Sequence, residues 1–401
     1  MTLMDVSSEL VDCVNRTAPE TPGGEYFLIG TPAMRGNVVN INETRRVSAE
    51  VFAQWTRRLV PIEGDLLLAR EAPVGPVVRV PAGGKFGAGQ RTTLLRANPE
   101  IVNPLYLFYL LIDPTVQARL IAFAMGSTVP HLRVADVKSF PLPELHSIPD
   151  QNAIANLLSS LDSKIQANSE LVDTAALLSS HLIELSPALV ELSELATVNK
   201  TAVTPEEMGT APILHYSLPA FDAARSPAQE SPASILSNKF RIDQPCVLIS
   251  KLNPRIPRVW DIPEVESTPA YCSTEFVVLE SDSVSTSVLT AALRKPAVFD
   301  QISSLVAGTS GSHQRVKPDE LLSVCVRDPR TINNAGLKAI TALGHRSLIA
   351  QKETATLRQL RDTLLPALMS GKISIREGEN YISSITGHLG LSQENHAKAR
   401  T

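Results

Sequence analysis

The strongest constraint on this chain is that it repeats itself. Residues 126–134 read GSTVPHLRV and residues 308–316 read GTSGSHQRV, so a glycine, a histidine, an arginine and a valine recur 182 positions apart. Three other stretches echo in the same order. IGTPAMRG (29–36) returns as YSLPAFDA (216–223), and DLLLAREAP (65–73) as CVLISKLNP (246–254). LYLFYLLIDPTV (105–116) returns as SVLTAALRKPAV (287–298), with Pro114 facing Pro296. The separation drifts between 181 and 187, as it does when loops change length and the elements between them persist. Each echo is weak alone; four in sequence order predict two copies of one structural unit.

Each copy opens with short strand-like runs broken by Gly, Pro and Asn, such as DLLLAR, PVVRV and QRTTLLR. A pair of short helices follows, separated by the stop at Asp113-Pro114 or Lys295-Pro296. Gly126 or Gly308 then ends the second helix, and the repeated polar loop leads into an extended apolar segment. The glycine-rich stretch GGKFGAGQR (83–91) lacks the Gly-Lys-Ser/Thr ending of a phosphate loop and predicts a hairpin turn.

The end of each copy differs in kind. Between residues 151 and 185, a three-and-four spacing picks out Ile154, Leu157, Leu161, Lys164, Asn168, Leu171, Ala175, Leu178, Leu182 and Leu185. This is a heptad seam with polar interruptions at Lys164 and Asn168. The second copy offers Ile340, Leu343, Leu357, Leu360, Leu364 and Leu368 at helix-compatible spacing. A helix of about 35 residues would run roughly 53 Å at 1.5 Å per residue, and its apolar stripe must be covered. The other copy's helix is the natural cover. The expected fold is therefore α+β: two tandem units of mixed short strands and helices, joined by two long antiparallel coiled-coil helices. The expected boundaries are 1–148 and 187–332 for the units, 149–186 and 333–371 for the helical spacers, and 372–401 for a polar tail.

Composition fits a globular protein, 43% hydrophobic and 19% charged. The longest apolar run, Leu105–Ile112, is far shorter than a membrane span, and MTLMDVSSEL has no export signature, so a cytoplasmic protein without membrane partners is expected. The four cysteines are scattered with no C-x-x-C pair, which predicts reduced thiols and no metal site. The net charge of −4 hides segregation: Gly30–Arg96 carries ten basic against five acidic residues, and Lys239–Trp260 five against one.

No catalytic constellation emerges. H-E-x-x-H and G-x-S-x-G are absent. NPLY (103–106) resembles the Asn-Pro-Pro-Tyr motif of amino-group methyltransferases but has Leu105 for the second proline, and Pro104 reads better as the first residue of a helix. The repeated loops instead concentrate hydrogen-bond donors: Ser127, Thr128, His131 and Arg133 in the first, Thr309, Ser310, Ser312, His313, Gln314 and Arg315 in the second, with Lys317 beyond. Hydroxyls, guanidinium groups and backbone N–H groups suit phosphate oxygens, and Arg or Gln also reads base edges.

In combination these stretches resemble one family, the specificity subunits of Type I restriction–modification systems. The resemblance rests on LLLAREAPVGPV, GQRTTLLR, GSTVPHLRVADV and FPLPEL in the first half, then QNAIANLLSSLDSKIQANSEL. YSLPAFD, SNKFRI, VLISKLNPRIPRVW, STEFVVL, GTSGSHQRV and LRDTLLPALMSGKI extend it through the second half, so that it spans roughly residues 25–380. It implies a non-catalytic DNA-reading subunit with two target-recognition domains, one for each half of a split, asymmetric target in double-stranded DNA. The paired helices would set the spacing between half-sites and dock two methyltransferase subunits. S-adenosylmethionine, ATP and magnesium would belong to those subunits and to a separate motor–nuclease subunit, with no cofactor or metal on this chain. Arg70, Gln90, Arg91, Lys251 and Arg255 then join the loop residues as candidate DNA contacts. The competing expectation is a protein–protein scaffold with paired heads on a coiled-coil stalk.

Overall fold

The computed structural model describes residues 1–124, 130–305 and 314–388. Its backbone divides into two units, one built from Met1–Asp162 and the chain from Arg358 onward, the other from Ser163–Leu357. The first part of the chain forms β1 (Ser7–Asp12), β2 (Tyr26–Ile29), β3 (Arg45–Val47), α1 (Ala49–Trp55), β4 (Leu66–Arg70), β5 (Val74–Arg79), β6 (Phe86–Ala88), β7 (Thr92–Ala97), α2 (Pro104–Ile112), α3 (Pro114–Ala124), α4 (Val134–Ser139) and the long α5 (Ile148–Glu184). The second part forms β8 (Leu189–Glu191), β9 (Thr197–Asn199), β10 (Ala202–Val203), β11 (Ile213–Tyr216), α6 (Leu218–Ala224), β12 (Ala228–Glu230), β13 (Lys239–Ile242), β14 (Cys246–Ser250), β15 (Val259–Ile262), β16 (Ala270–Ser273) and β17 (Phe276–Glu280). It continues through α7 (Thr286–Leu293), α8 (Pro296–Ser304), α9 (Pro318–Leu322), β18 (Cys325–Arg327), the long α10 (Asn334–Met369) and α11 (Ile375–His388).

The repeat is a repeat of topology. Unit 1 has a sheet in the order β1-β7-β4-β5 and a second in the order β3-β2-β6; unit 2 has β9-β17-β14-β15 and, within a five-stranded sheet, β12-β11-β16. In both, the central strand of the smaller motif pairs antiparallel on one side and parallel on the other. Strands β10 and β13 extend the second sheet in unit 2 alone.

Strand alternation explains the layers. In β14, Cys246 and Leu248 pack with Tyr216 and Cys272 of the neighbouring sheet and with Trp260 of the adjacent strand β15. The intervening Val247 and Ile249 pack with Val288 and Leu289 of α7 and Val298 of α8. A strand buried on both faces is apolar along its length, which is why LLLA and CVLI carry no alternation. Each fully buried Leu or Ile contributes about 2 kcal/mol. The same burial pushes the Cys272 thiol up to about 12 and the Cys246 thiol well above its ordinary range.

The proline stops fall where the sequence places them. Pro104 opens α2, whose first free N–H groups, on Leu105 and Tyr106, donate to Asn103 Oδ1 at 2.8 and 3.0 Å. Asp113 does the same for α3, accepting from Thr115 and Val116 at 2.9 and 3.1 Å. No single helix among the described residues is long and apolar enough to cross a membrane. The glycine stretch 83–91 differs from the expected hairpin. It turns at Gly83 and Gly84 (φ 103° and 67°), then forms β6, which runs parallel to β2 in the other sheet.

The two long helices pair antiparallel, each lending one half to each unit. In unit 1, Arg361 of α10 donates to Asp162 of α5 at 2.9 Å, and Tyr109 Oη donates to the same carboxylate at 2.6 Å. Burial, reinforced by the Asp162 charge, pushes the Tyr109 phenol far above its ordinary range. In unit 2, the buried Asn168 Nδ2 donates to Ala350 O at 3.3 Å and to Glu353 at 2.8 Å, and Lys164 reaches Glu353 at 3.3 Å.

Of the α10 stripe, Ile340, Leu357, Leu360, Leu364 and Leu368 are buried and Leu343 is half-buried, but the α5 seam needs correcting. Ile154, Leu161, Asn168 and Ala175 are buried as expected, while alternate positions shift by one residue, to Leu158, Ile165 and Ile183. Leu157, Leu171 and Leu182 are half-buried, Lys164 is exposed, and Leu178 and Leu185 stand 47% and 69% exposed. A one-residue step turns a helix by about 100°, and burying Leu158 and Ile165 leaves Lys164 in water. The expected polar tail also contains α11, where Gly378 leaves room for Leu157, Leu364 and Leu368.

Candidate nucleic-acid interface

In both units the polar loop returns to the end of the central strand. In unit 1, Leu132 N donates to Arg70 O at 3.0 Å, His131 bridges Glu71, and Arg70 N donates to Arg91 O at 2.9 Å. In unit 2, Val316 N donates to Lys251 O at 3.1 Å, Arg315 bridges Leu252, and Lys251 N donates to Glu275 O at 3.0 Å. The strand exits share a backbone oddity: Ala72 and Asn253, each before a proline, both have φ 49°. Asn tolerates this left-handed conformation better than Ala does.

This pairing corrects the alignment of the two loops. Arg70 matches Lys251 and Leu132 matches Val316, so His131 stands opposite Arg315 in the plan and Arg133 opposite Lys317. Arg133 and Lys317 are the N-cap residues of α4 and α9, which confirms the match, and Leu132 and Val316 are both buried. The identical Arg133 and Arg315 therefore occupy different places, offset by two residues. Backbone pairing, not letter identity, fixes equivalence here. Ser127, Thr128, Thr309, Ser310, Ser312 and His313 lie outside the described residues.

The candidate cations divide by what already holds them. Arg70 is turned inward: its side chain is 11% exposed, Nη2 meets Asp12 at 2.6 Å, and Nη1 donates to Leu132 O at 2.9 Å. It is a strut that fixes the loop on the strand, where a free DNA contact was expected. Arg315 grips Glu275 through two hydrogen bonds of 3.0 and 2.9 Å, which hold the Glu275 carboxyl below its usual range and raise the guanidinium. Lys317 meets Glu320 at 3.2 Å, and Arg91 meets Glu71 at 3.3 Å. Arg133 is 79% exposed and pairs with Asp136 at 3.9 Å. Among the described residues no ion pair engages Lys251 or Arg255. Gln314 presents its backbone oxygen to Asn253 N at 3.0 Å. Unit 1 thus pairs each of these cations, with Arg133 the most exposed, while Lys251 and Arg255 in unit 2 have no ion pair among the described residues, and Arg91 at the strand turn of unit 1 is replaced by the acid Glu275 in unit 2.

Unit 1 adds a polar cleft that residue spacing did not reveal. Gln90 and Arg91 line it together with Thr17, Asn42, Arg45 and Trp55, around a volume of about 370 Å³. Thr17 Oγ1 donates to Gln90 Oε1 at 3.1 Å, Arg45 pairs with Glu20 at 3.2 Å, and the buried Trp55 Nε1 has no hydrogen-bond partner among the described residues. The basic excess of Gly30–Arg96 points to this segment; only folding brings Asn42 and Trp55 to Gln90.

Comparison with known proteins agrees with the resemblance. Residues 16–174 match the family model described as the Type I restriction modification DNA specificity domain. A curated Mycoplasma pneumoniae protein named as a type I specificity subunit is 29% identical over 96 residues, which is 24% of this chain. This chain spans a quarter of the length of that relative. The crystal structure of the Type-I restriction-modification system S subunit from M. genitalium superposes with a TM-score of 0.58 at 17% identity, covering 92% of this chain and 95% of that one. That similarity shows a common fold.

Proposed function

We propose that this chain, whose residues 16–174 match the model of the Type I restriction modification DNA specificity domain, is the DNA-recognition subunit of a Type I restriction–modification complex. One observation carries the reading: the same strand-end corner is built twice and furnished with different charges, Arg91 and His131 in one unit, Glu275 and Arg315 in the other. Two like frames with unlike side chains suit a target of two unlike halves. Phosphate contacts fall to the exposed Arg133 and to Lys251, while Gln90, Arg91, His131, Arg255, Gln314, Arg315 and Lys317 contribute positioning or base contacts. The chain itself supplies no chemistry in this reading. Adenine methylation with S-adenosylmethionine and ATP-driven translocation belong to methyltransferase and motor–nuclease partners. The exposed Leu177, Leu178 and Leu185 give the end of α5 an apolar face suited to a methyltransferase subunit.

Phosphate neutralisation gives the test. With its methyltransferase partner bound, the chain's DNA affinity should fall steeply with salt, by close to one unit of log–log slope per phosphate engaged. Arg133→Ala and Lys251→Ala, one in each unit, should each reduce that slope by about 1 and weaken binding to all sequences alike. A flat salt dependence, or slopes unmoved by both variants, would favour the protein-scaffold reading.

A further inference from the structure

The hairpin that leaves the shared corner ends differently in the two units. Between the equivalent pairs Leu68↔Val77 and Ile249↔Val259 the hairpins hold eight and nine residues, so length is not the difference. In unit 1 the hairpin is zipped: Arg70 pairs with Val74, and Gln117 of α3 clamps it by donating to Gly75 O at 2.9 Å. Gly75, with φ 118°, lies so close to that amide that a Cβ would come within 2.5 Å of its oxygen. In unit 2 the α8 residue at the place of Gln117 is Phe299, which is buried in the core and can clamp nothing. The tip there is released.

Its base is nevertheless rigid. Asn253 holds a left-handed conformation at φ 49°, and Pro254 is buried. Ile256 N closes a turn on Asn253 O at 2.9 Å, Ser250 N donates to Arg258 O at 3.0 Å, and Asn253 N reaches the polar loop at Gln314 O. Arg258 is spent on Asp222 through two 2.7 Å hydrogen bonds. What projects is Arg255, Ile256 (50% exposed) and Pro257. One exposed Ile is ordinary on a protein surface. Here it crowns a braced turn bounded by two prolines, beside an arginine that has no ion-pair partner among the described residues. Preordering removes most of the entropy that a flexible loop would lose on binding.

We propose that this hairpin tip is a DNA probe carried by unit 2 alone, and the proposal rests on the DNA-reading function above. Arg255 meets a base-edge acceptor, and Ile256 makes apolar contact with base edges such as a thymine methyl. The counterparts in unit 1, Val74 and Gly75, offer no charge there, and Val74 is held in the ladder.

The test is binding-site selection from a randomised DNA pool with the chain–methyltransferase complex, comparing wild type, Arg255→Ala and Ile256→Ala. The expected result is a relaxed preference, by about tenfold, at one or two positions of a single half-site, with the other half-site unchanged. Both side chains are exposed, so thermal unfolding should be unmoved. Identical selected sequences from all three proteins would overturn the probe while leaving the DNA-reading function intact. Unchanged selection with weakened methyltransferase binding would make the tip a protein-docking surface and also overturn it. No enrichment by the wild type would instead overturn the DNA-reading function itself.

Discussion

Arg96→Met is expected to cost unit 1 about 3–5 kcal/mol of stability, because it strands a buried carboxylate. Asp65 is 4% exposed and receives Arg96 through Nε at 2.9 Å and Nη2 at 2.7 Å, with Ile62 N as its other donor at 2.9 Å. The pair ties the start of β4 to β7 across the sheet, and Arg96 also reaches Val60 O at 3.0 Å. Removing the cation leaves Asp65 with one backbone N–H in place of three donors. Converting the stranded acid as well, Arg96→Met with Asp65→Asn, should recover a good part of the loss, since the amide needs no countercharge. Denaturant unfolding that resolves unit 1 checks this. An Arg96→Met protein as stable as wild type would show that the pair contributes nothing, and a double variant less stable than the single one would show that charge stranding is not the cause.

Gly344→Ala reverses an ordinary expectation. In the middle of a long helix, Ala is favoured over Gly by about 1 kcal/mol. At this position of α10 an added Cβ would overlap Ser287 of α7, 1.9 Å from its Oγ and 2.5 Å from its Cβ, with Asp261 Oδ2 at 3.1 Å. Ser287 is 4% exposed and has nowhere to go. The expected result is a loss of about 1–3 kcal/mol in unit 2, as for other overpacked sites. Ser287→Gly should destabilise on its own yet raise the stability of Gly344→Ala, giving a coupling of at least about 1 kcal/mol in a double-mutant cycle. A Gly344→Ala protein more stable than wild type would mean that propensity wins and the close approach is not a constraint.

The repeat was legible because burial imposes it: β4 and β14 are covered on both faces, so LLLA and CVLI had to remain apolar runs. The proline stops were legible for an equally local reason. The α5 seam was legible as a seam but not in register, because Leu157 and Leu158 are adjacent and either can continue a heptad. A signal was there. Between Ile154 and Ala175 the series through Leu158 and Ile165 meets one polar residue, Asn168, where the series through Leu157 meets Lys164 as well. The loop alignment slipped by two residues because identical letters drew it, while hydrogen bonds to Arg70 and Lys251 decide it. Arg70 itself looked like a free cation at a strand end. Its partner Asp12 comes from β1, brought within 2.6 Å by the order β1-β7-β4, and no local pattern announces that.

The central claim is that two like frames read two unlike pieces of DNA, and sequencing the DNA retained by the chain–methyltransferase complex from a random pool tests it most directly. DNA reading by both units predicts enrichment of two different short motifs held at one fixed separation. A pool left unenriched, or one enriched in a single motif without a second at fixed distance, would contradict it.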